Sequence, residues 1–216
     1  MSDANIRTSQ FFDAYARDFN AIYNTRNTLV NRLINRLLRK SMKLRYEKTL
    51  QGCHPIEGKK VIDVGCGPGH YGIALARRGA AQVLGIDFAQ GMIDIAKKNA
   101  ELAGVMDRCR FVYGDFLKLA VDETFDYAIV MGLMDYIREP ELVIQKVLRI
   151  TGGKAFFSFP ADGGFWAWQR KLRYKRRCDL FLFTEERLRQ LFAQLTDKPV
   201  TYERISRDYF VAVDLG

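Results

Sequence analysis

Three aspartates stand where they can do chemistry: Asp63, Asp87 and Asp115 each close or follow a short run of strand-forming residues. The first opens the stretch Asp63-Val64-Gly65-Cys66-Gly67-Pro68-Gly69-His70, in which glycines alternate with other residues before helix-forming sequence begins at Ile73. Such glycines let the backbone take positive φ and let a ligand approach the main chain. The helix N-terminus beyond them adds unpaired N–H groups. The pattern reads as a cradle for a nucleotide or nucleoside at the carboxyl end of a first strand.

The details choose among ligands. The dinucleotide fingerprint has a two-residue gap before its last glycine, and His70 occupies that position here, so close packing around a pyrophosphate is not specified. Asp63 suits a ligand with an ammonium group and is a poor neighbour for a pyrophosphate. Asp87 follows Gly67 by 20 residues, where a carboxylate accepts hydrogen bonds from ribose hydroxyls. Asp115 with Phe116 can hold an adenine by its amino edge and its face.

These residues need a scaffold, and the chain supplies one. Strand-like runs at Lys60–Val64, Gln82–Ile86, Cys109–Tyr113, Phe125–Met131 and Lys154–Phe159 alternate with helical patterns at Gly69–Arg78, Ala89–Ala103 and Pro140–Ile150. That alternation predicts a mostly parallel sheet with helices on both faces. Thr184, followed by Glu185 and Glu186, predicts the N-cap of a helix to about Leu195. Val200–Ile205 and Tyr209–Asp214 predict a closing hairpin with an antiparallel last strand. Ahead of the core, Phe11, Phe12, Tyr15, Phe19, Ile22 and Tyr23 fall at helical spacing, as do apolar residues of a second, basic helix over 25–48.

The net charge of +9 is uneven. Residues 22–48 carry +7 and residues 170–177 carry +6, leaving the rest slightly acidic. The basic character therefore belongs to two appendages. A solvated face, an anionic or lipid-like acceptor met at a membrane surface, and nucleic acid are all consistent with it. Phe165, Trp166 and Trp168 beside the second cluster suit peripheral membrane contact. No apolar run reaches the roughly 18 residues of a membrane helix, no secretion signal opens the chain, and the four cysteines form no CxxC pair. A cytoplasmic protein without a metal centre is the expectation.

With these motifs in hand, the chain resembles the class I, Rossmann-like S-adenosylmethionine (SAM)-dependent methyltransferases, through Val61–Gly69, Val83–Asp87 with Met92, Phe111–Phe116, Phe125–Met131 and the closing hairpin. More faintly it is similar to the small-molecule O-methyltransferases acting on porphyrins and quinones. The resemblance implies a doubly wound, mostly parallel seven-stranded sheet with a C-terminal antiparallel hairpin. It divides the chain into an N-terminal helical lid over 1–50 and a core over 51–216 that carries a basic aromatic insertion at about 161–183. It implies SAM as methyl donor, S-adenosylhomocysteine (SAH) as product, and cofactor contacts at Asp63, Gly65, Cys66, Gly67, Asp87, Phe88, Met92, Asp115, Phe116 and Met131. The acceptor is expected to be small or amphipathic and to be methylated on oxygen. Asp135 is the candidate proton acceptor or a helix start. Tyr15 either packs on the core or closes over the methionine end, and Arg45 is a candidate partner for a cofactor or substrate carboxylate. An NAD-dependent oxidoreductase and a methyltransferase of nucleic acid are the alternatives. The Asn-Pro-Pro-Tyr motif of enzymes that methylate base amines is replaced by Met131-Gly132-Leu133-Met134-Asp135, which disfavours nucleic acid.

Overall fold

The computed structural model describes residues 42–163 and 179–216. Helix α1 occupies 42–52. It is followed by β1 (Lys60–Val64), α2 (His70–Arg77), β2 (Gln82–Asp87), α3 (Gln90–Leu102), β3 (Cys109–Tyr113) and β4 (Phe125–Val130). A short 3-10 turn at Met134–Tyr136 leads to α4 (Pro140–Arg149), β5 (Thr151–Pro160), α5 (Glu185–Leu195), β6 (Val200–Ile205) and β7 (Asp208–Asp214).

The seven strands form one sheet in the order β3-β2-β1-β4-β5-β7-β6. Strands β1 to β5 run parallel, and β7 is antiparallel to both β5 and β6. Central strands such as β1 are buried along nearly their whole length because both faces of the sheet are covered. Leu50 of α1, Leu75 and Ala76 of α2, and Ile93, Ala96 and Ala100 of α3 share one core cluster. Val143, Ile144 and Val147 of α4 and Leu188 and Phe192 of α5 share the other. The strand order reverses between β1 and β4, and in such sheets the crevice at the carboxyl ends beside that reversal is where ligands bind.

Two boundaries differ from the sequence expectation, for local reasons. Helix α1 runs on to residue 52, past the expected end at 48, because Thr49 and Leu50 are buried against the sheet. At Gly52 an added Cβ would lie 2.6 Å from the Phe156 ring, so only glycine allows the helix to come this close. Strand β5 starts three residues earlier than its apolar pattern suggests. Gly152-Gly153 looks like a turn, but a Cβ on Gly153 would sit 2.3 Å from the Asp126 carbonyl, beside the register shift between β4 and β5. The glycines permit close strand approach rather than chain reversal.

Helix α5 has the cap its sequence announces: the Thr184 hydroxyl accepts the Arg187 N–H at 3.2 Å, with Glu185 and Glu186 in the first turn. Its Phe192 packs edge-on against Phe157 and Phe159. Thr184→Ala should lower the unfolding free energy by about 1 kcal/mol, measured by urea denaturation, with ligand affinity unchanged.

Candidate functional site

The turn after β1 is built by glycines at φ 72° (Gly65), 51° (Gly67) and 80° (Gly69). The Gly65 and Cys66 N–H groups both donate to the Ile86 carbonyl, at 2.8 and 3.0 Å, which folds the turn over the tip of β2. A Cβ on Gly67 would meet nothing within 4 Å. That position therefore needs glycine for its backbone conformation, and it leaves open space above the main chain. Asp87 closes β2 and organises the same region. Its Oδ2 accepts the Gly67 N–H at 2.8 Å and its Oδ1 accepts the Ala89 N–H at 2.9 Å.

In front of Asp87 opens a cleft lined by Val64, Gly65, Phe88, Gly114, Asp115 and Phe116 together with Leu133, Tyr136, Ile137 and Val143. The wall after β3 is fixed from two directions. The Gly114 N–H donates to the Asp87 carbonyl at 2.9 Å. From α4, Lys146 donates to the carbonyls of Phe116 and Leu119, the latter at 2.6 Å, with its ammonium 4.7 Å from the centre of the Phe116 ring. Burial, with the Arg149 charge, holds the Lys146 pKa below its usual value. Asp115 spends Oδ1 on the Leu117 N–H at 3.1 Å and keeps Oδ2 for other work.

Beyond the glycine turn the electrostatics change. The Asp63 side chain is 1% exposed, and its Oδ2 has no hydrogen-bond partner. Burial raises its pKa to about 7 against the opposing hydrogen bond from the Gly72 N–H, and the charge of Asp87 adds to the rise. Arg45 reaches in from α1. Its Nη1 lies 3.2 Å from Ser158 Oγ and 3.5 Å from Asp208 Oδ2, while its buried Nε has no partner. Burial pulls the Arg45 pKa down, but Tyr71, Asp208 and Asp135 outweigh it and leave the guanidinium more firmly charged than usual. Tyr71, in the first turn of α2, feels both Arg45 and Asp63.

The structure thus gathers Gly65, Asp87, Phe88, Asp115 and Phe116 on the cleft wall. Gly67 lies in the turn itself and Asp63 in β1 just before it, and neither lines the cleft wall. Cys66 is buried under it, its Sγ 3.1 Å from where a Cβ on Gly85 would stand. Met92 is buried on α3 beside Ala89, Met131 in the core on the α2 and α3 side, and Asp135 in the 3-10 turn. None of these four lines the cleft wall. Tyr15 lies outside the described residues, as do most of the 1–50 lid and the 161–183 insertion. Among the described residues no His, Cys, Asp or Glu cluster could hold a metal ion. Sequence reasoning overlooked Ser158, Asp208 and Tyr71. Ser158 did carry a signal, since it is the one polar residue in the buried run Ala155-Phe156-Phe157-Ser158-Phe159.

Comparisons with known proteins place the chain in a family. A family model described as a methyltransferase domain matches residues 56–206. The ubiquinone biosynthesis O-methyltransferase of Pseudomonas fluorescens (strain SBW25) is 34% identical over 105 residues, 48% of this chain and 45% of that protein. Its counterpart from Paracidovorax citrulli is 36% identical over 112 residues, 50% of this chain and 47% of that protein. The chain thus spans about half the length of the curated relatives it matches. Among solved structures, magnesium protoporphyrin IX methyltransferase from Synechocystis PCC 6803 with bound SAH superposes with a TM-score of 0.75 at 18% identity, covering 97% of this chain and 98% of that one.

Proposed function

We propose, from the fact that this chain belongs to the methyltransferase-domain family, that it transfers a methyl group from SAM to an oxygen of a small or amphipathic acceptor. The observation that carries this reading is the buried Asp63 Oδ2 without a partner at the inner end of the glycine turn. An unpaired buried carboxylate oxygen calls for a cationic donor, which the ammonium of SAM would be and a pyrophosphate would not. The rest of the donor set fits one molecule. Asp87 lines the cleft where ribose hydroxyls would bind, Asp115, Phe116 and Phe88 line the same cleft beside it, and the unpartnered Nε of Arg45 suits the methionyl carboxylate.

Bound SAM supplies an already electrophilic methyl group, so the protein needs mainly to align the acceptor and exclude water. Gly65 and Gly67 set the depth of the crevice, and Leu133 and Tyr136 close its far wall. Where an acceptor hydroxyl must lose a proton, we assign that role to Asp135. The names of the quinone and porphyrin enzymes support a ring-bearing, partly apolar acceptor. The basic segments would bring a cytoplasmic chain to anionic lipid where such acceptors partition. In the described residues no helix is long and apolar enough to cross a membrane.

Thermal unfolding in SAH and in NAD tests the donor. At 100-fold excess over its dissociation constant SAH should raise the melting temperature by roughly 5–10 °C, while NAD leaves it unchanged. A shift with NAD and none with SAH would move the chain to the oxidoreductases.

A further inference from the structure

We infer that Ser158 is a positioning residue for the methionyl end of the donor, acting through Arg45. The inference rests on the proposed reading of the site and deepens it. Ser158 lies on β5, is 1% exposed, and accepts two hydrogen bonds from two different elements. One comes from the Gly132 N–H at 2.8 Å, in the turn that follows β4. The other comes from Arg45 Nη1 at 3.2 Å, on α1. A hydroxyl oxygen has two acceptor positions, so these bonds fill it and fix both donors relative to the sheet.

The consequence for Arg45 is orientation. Nη1 donates to Ser158 and is ion-paired with Asp208, whose Oδ2 lies 3.5 Å away. That anchors one side of the planar guanidinium. Nε, buried and without a partner, is left as the donor for a ligand carboxylate. An arginine on a flexible stem loses side-chain entropy when it binds, and an anchored one has already lost it. Ser158 also ties this anchor to Gly132, which takes φ 77°, and where an added Cβ would lie 3.9 Å from Arg45 Nη2. The turn after β4, whose Leu133 and Tyr136 wall the cleft, is therefore held by the same oxygen that aims the arginine.

The test compares two ligands on Ser158→Ala. SAH carries the amino-acid carboxylate, whereas methylthioadenosine has the same nucleoside and lacks both carboxylate and ammonium. By titration calorimetry Ser158→Ala should weaken SAH by about 10-fold and methylthioadenosine by less than about 2-fold. Arg45→Gln should show the same ligand-selective loss. In the Arg45→Gln background, Ser158→Ala should add little, because the two residues act as a unit. Ser158→Thr, which keeps the oxygen, should retain SAH affinity and stands in if the alanine variant fails to fold. Equal loss of both ligands, unchanged SAH affinity, or additive losses in the double variant would overturn the inference while leaving the donor assignment standing. A wild-type chain that binds neither ligand would remove the donor assignment, and this inference with it.

Discussion

Asp87→Ala should abolish donor binding, lowering SAH affinity by at least about 100-fold, because one carboxylate does three jobs at the tip of β2. It accepts the Gly67 N–H at 2.8 Å and so sets the glycine turn over the cleft. It accepts the Ala89 N–H at 2.9 Å and so starts α3, with Ala89 fully buried. It also lines the cleft, where ribose hydroxyls would bind. A hydrogen bond to a charged group contributes about 1.5–3 kcal/mol, and each 1.4 kcal/mol is tenfold in affinity. Loss of the ribose contacts together with collapse of the turn therefore exceeds two powers of ten. Asp87→Asn should fall between wild type and Ala, because its amide keeps one acceptor and presents a donor to the other N–H. Calorimetric titration of SAH checks the series. A loss under about 10-fold in Asp87→Ala would restrict Asp87 to holding the loop.

How much of this was legible in the sequence depended on how local the cause was. The parallel core was legible because a strand buried on both faces is written as an uninterrupted apolar run, and because each strand tip ends in a residue that cannot continue one. Asp63, Asp87 and Asp115 were legible because an acid after Val-Ile or Gly-Ile, or after Val-Tyr-Gly, interrupts an apolar run that has no other use for a charge. The closing hairpin was legible from two alternating runs a few residues apart. Residues whose meaning comes from a distant partner were not. Arg45 is one of eight basic residues between 22 and 48; it could be named as a carboxylate partner, but nothing in its neighbours says that it turns to Ser158 and Asp208. Those partners lie 113 and 163 positions away along the chain. The role of Gly153 was not legible either, because the Asp126 carbonyl that excludes a side chain there belongs to the neighbouring strand. Nothing around Lys146 in the sequence marks it out, yet it fastens the loop that carries Phe116.

Asp63 should make both stability and donor affinity depend on pH, in opposite directions. In the ligand-free protein burial raises its pKa to about 7, from an ordinary value of 3.8. Between those values the unfolded chain ionises while the folded chain keeps its proton. Folding stability from this group therefore falls as pH rises through about 4 to 7, and the loss is complete above about 7. At 1.36 kcal/mol per unit the penalty approaches about 4 kcal/mol at pH 8. Asp63→Asn keeps an acceptor for the Gly72 N–H and has no charge to desolvate. Its melting temperature should match wild type near pH 4 and exceed it by several degrees at about pH 8. Affinity moves the other way. An ammonium-bearing ligand prefers the ionised carboxylate, so SAH should bind progressively tighter from about pH 5.5 to 7 and level off above, with a proton released on binding. Methylthioadenosine should show no such slope. In Asp63→Asn the slope should vanish, and SAH should bind about 10- to 100-fold more weakly at pH 8. An SAH affinity flat across this range would mean that no cation meets Asp63. The stabilised variant would then be a free gain in stability. Under the present reading it is a loss of function, because the carboxylate that strains the empty protein is the group that holds the ligand's amine.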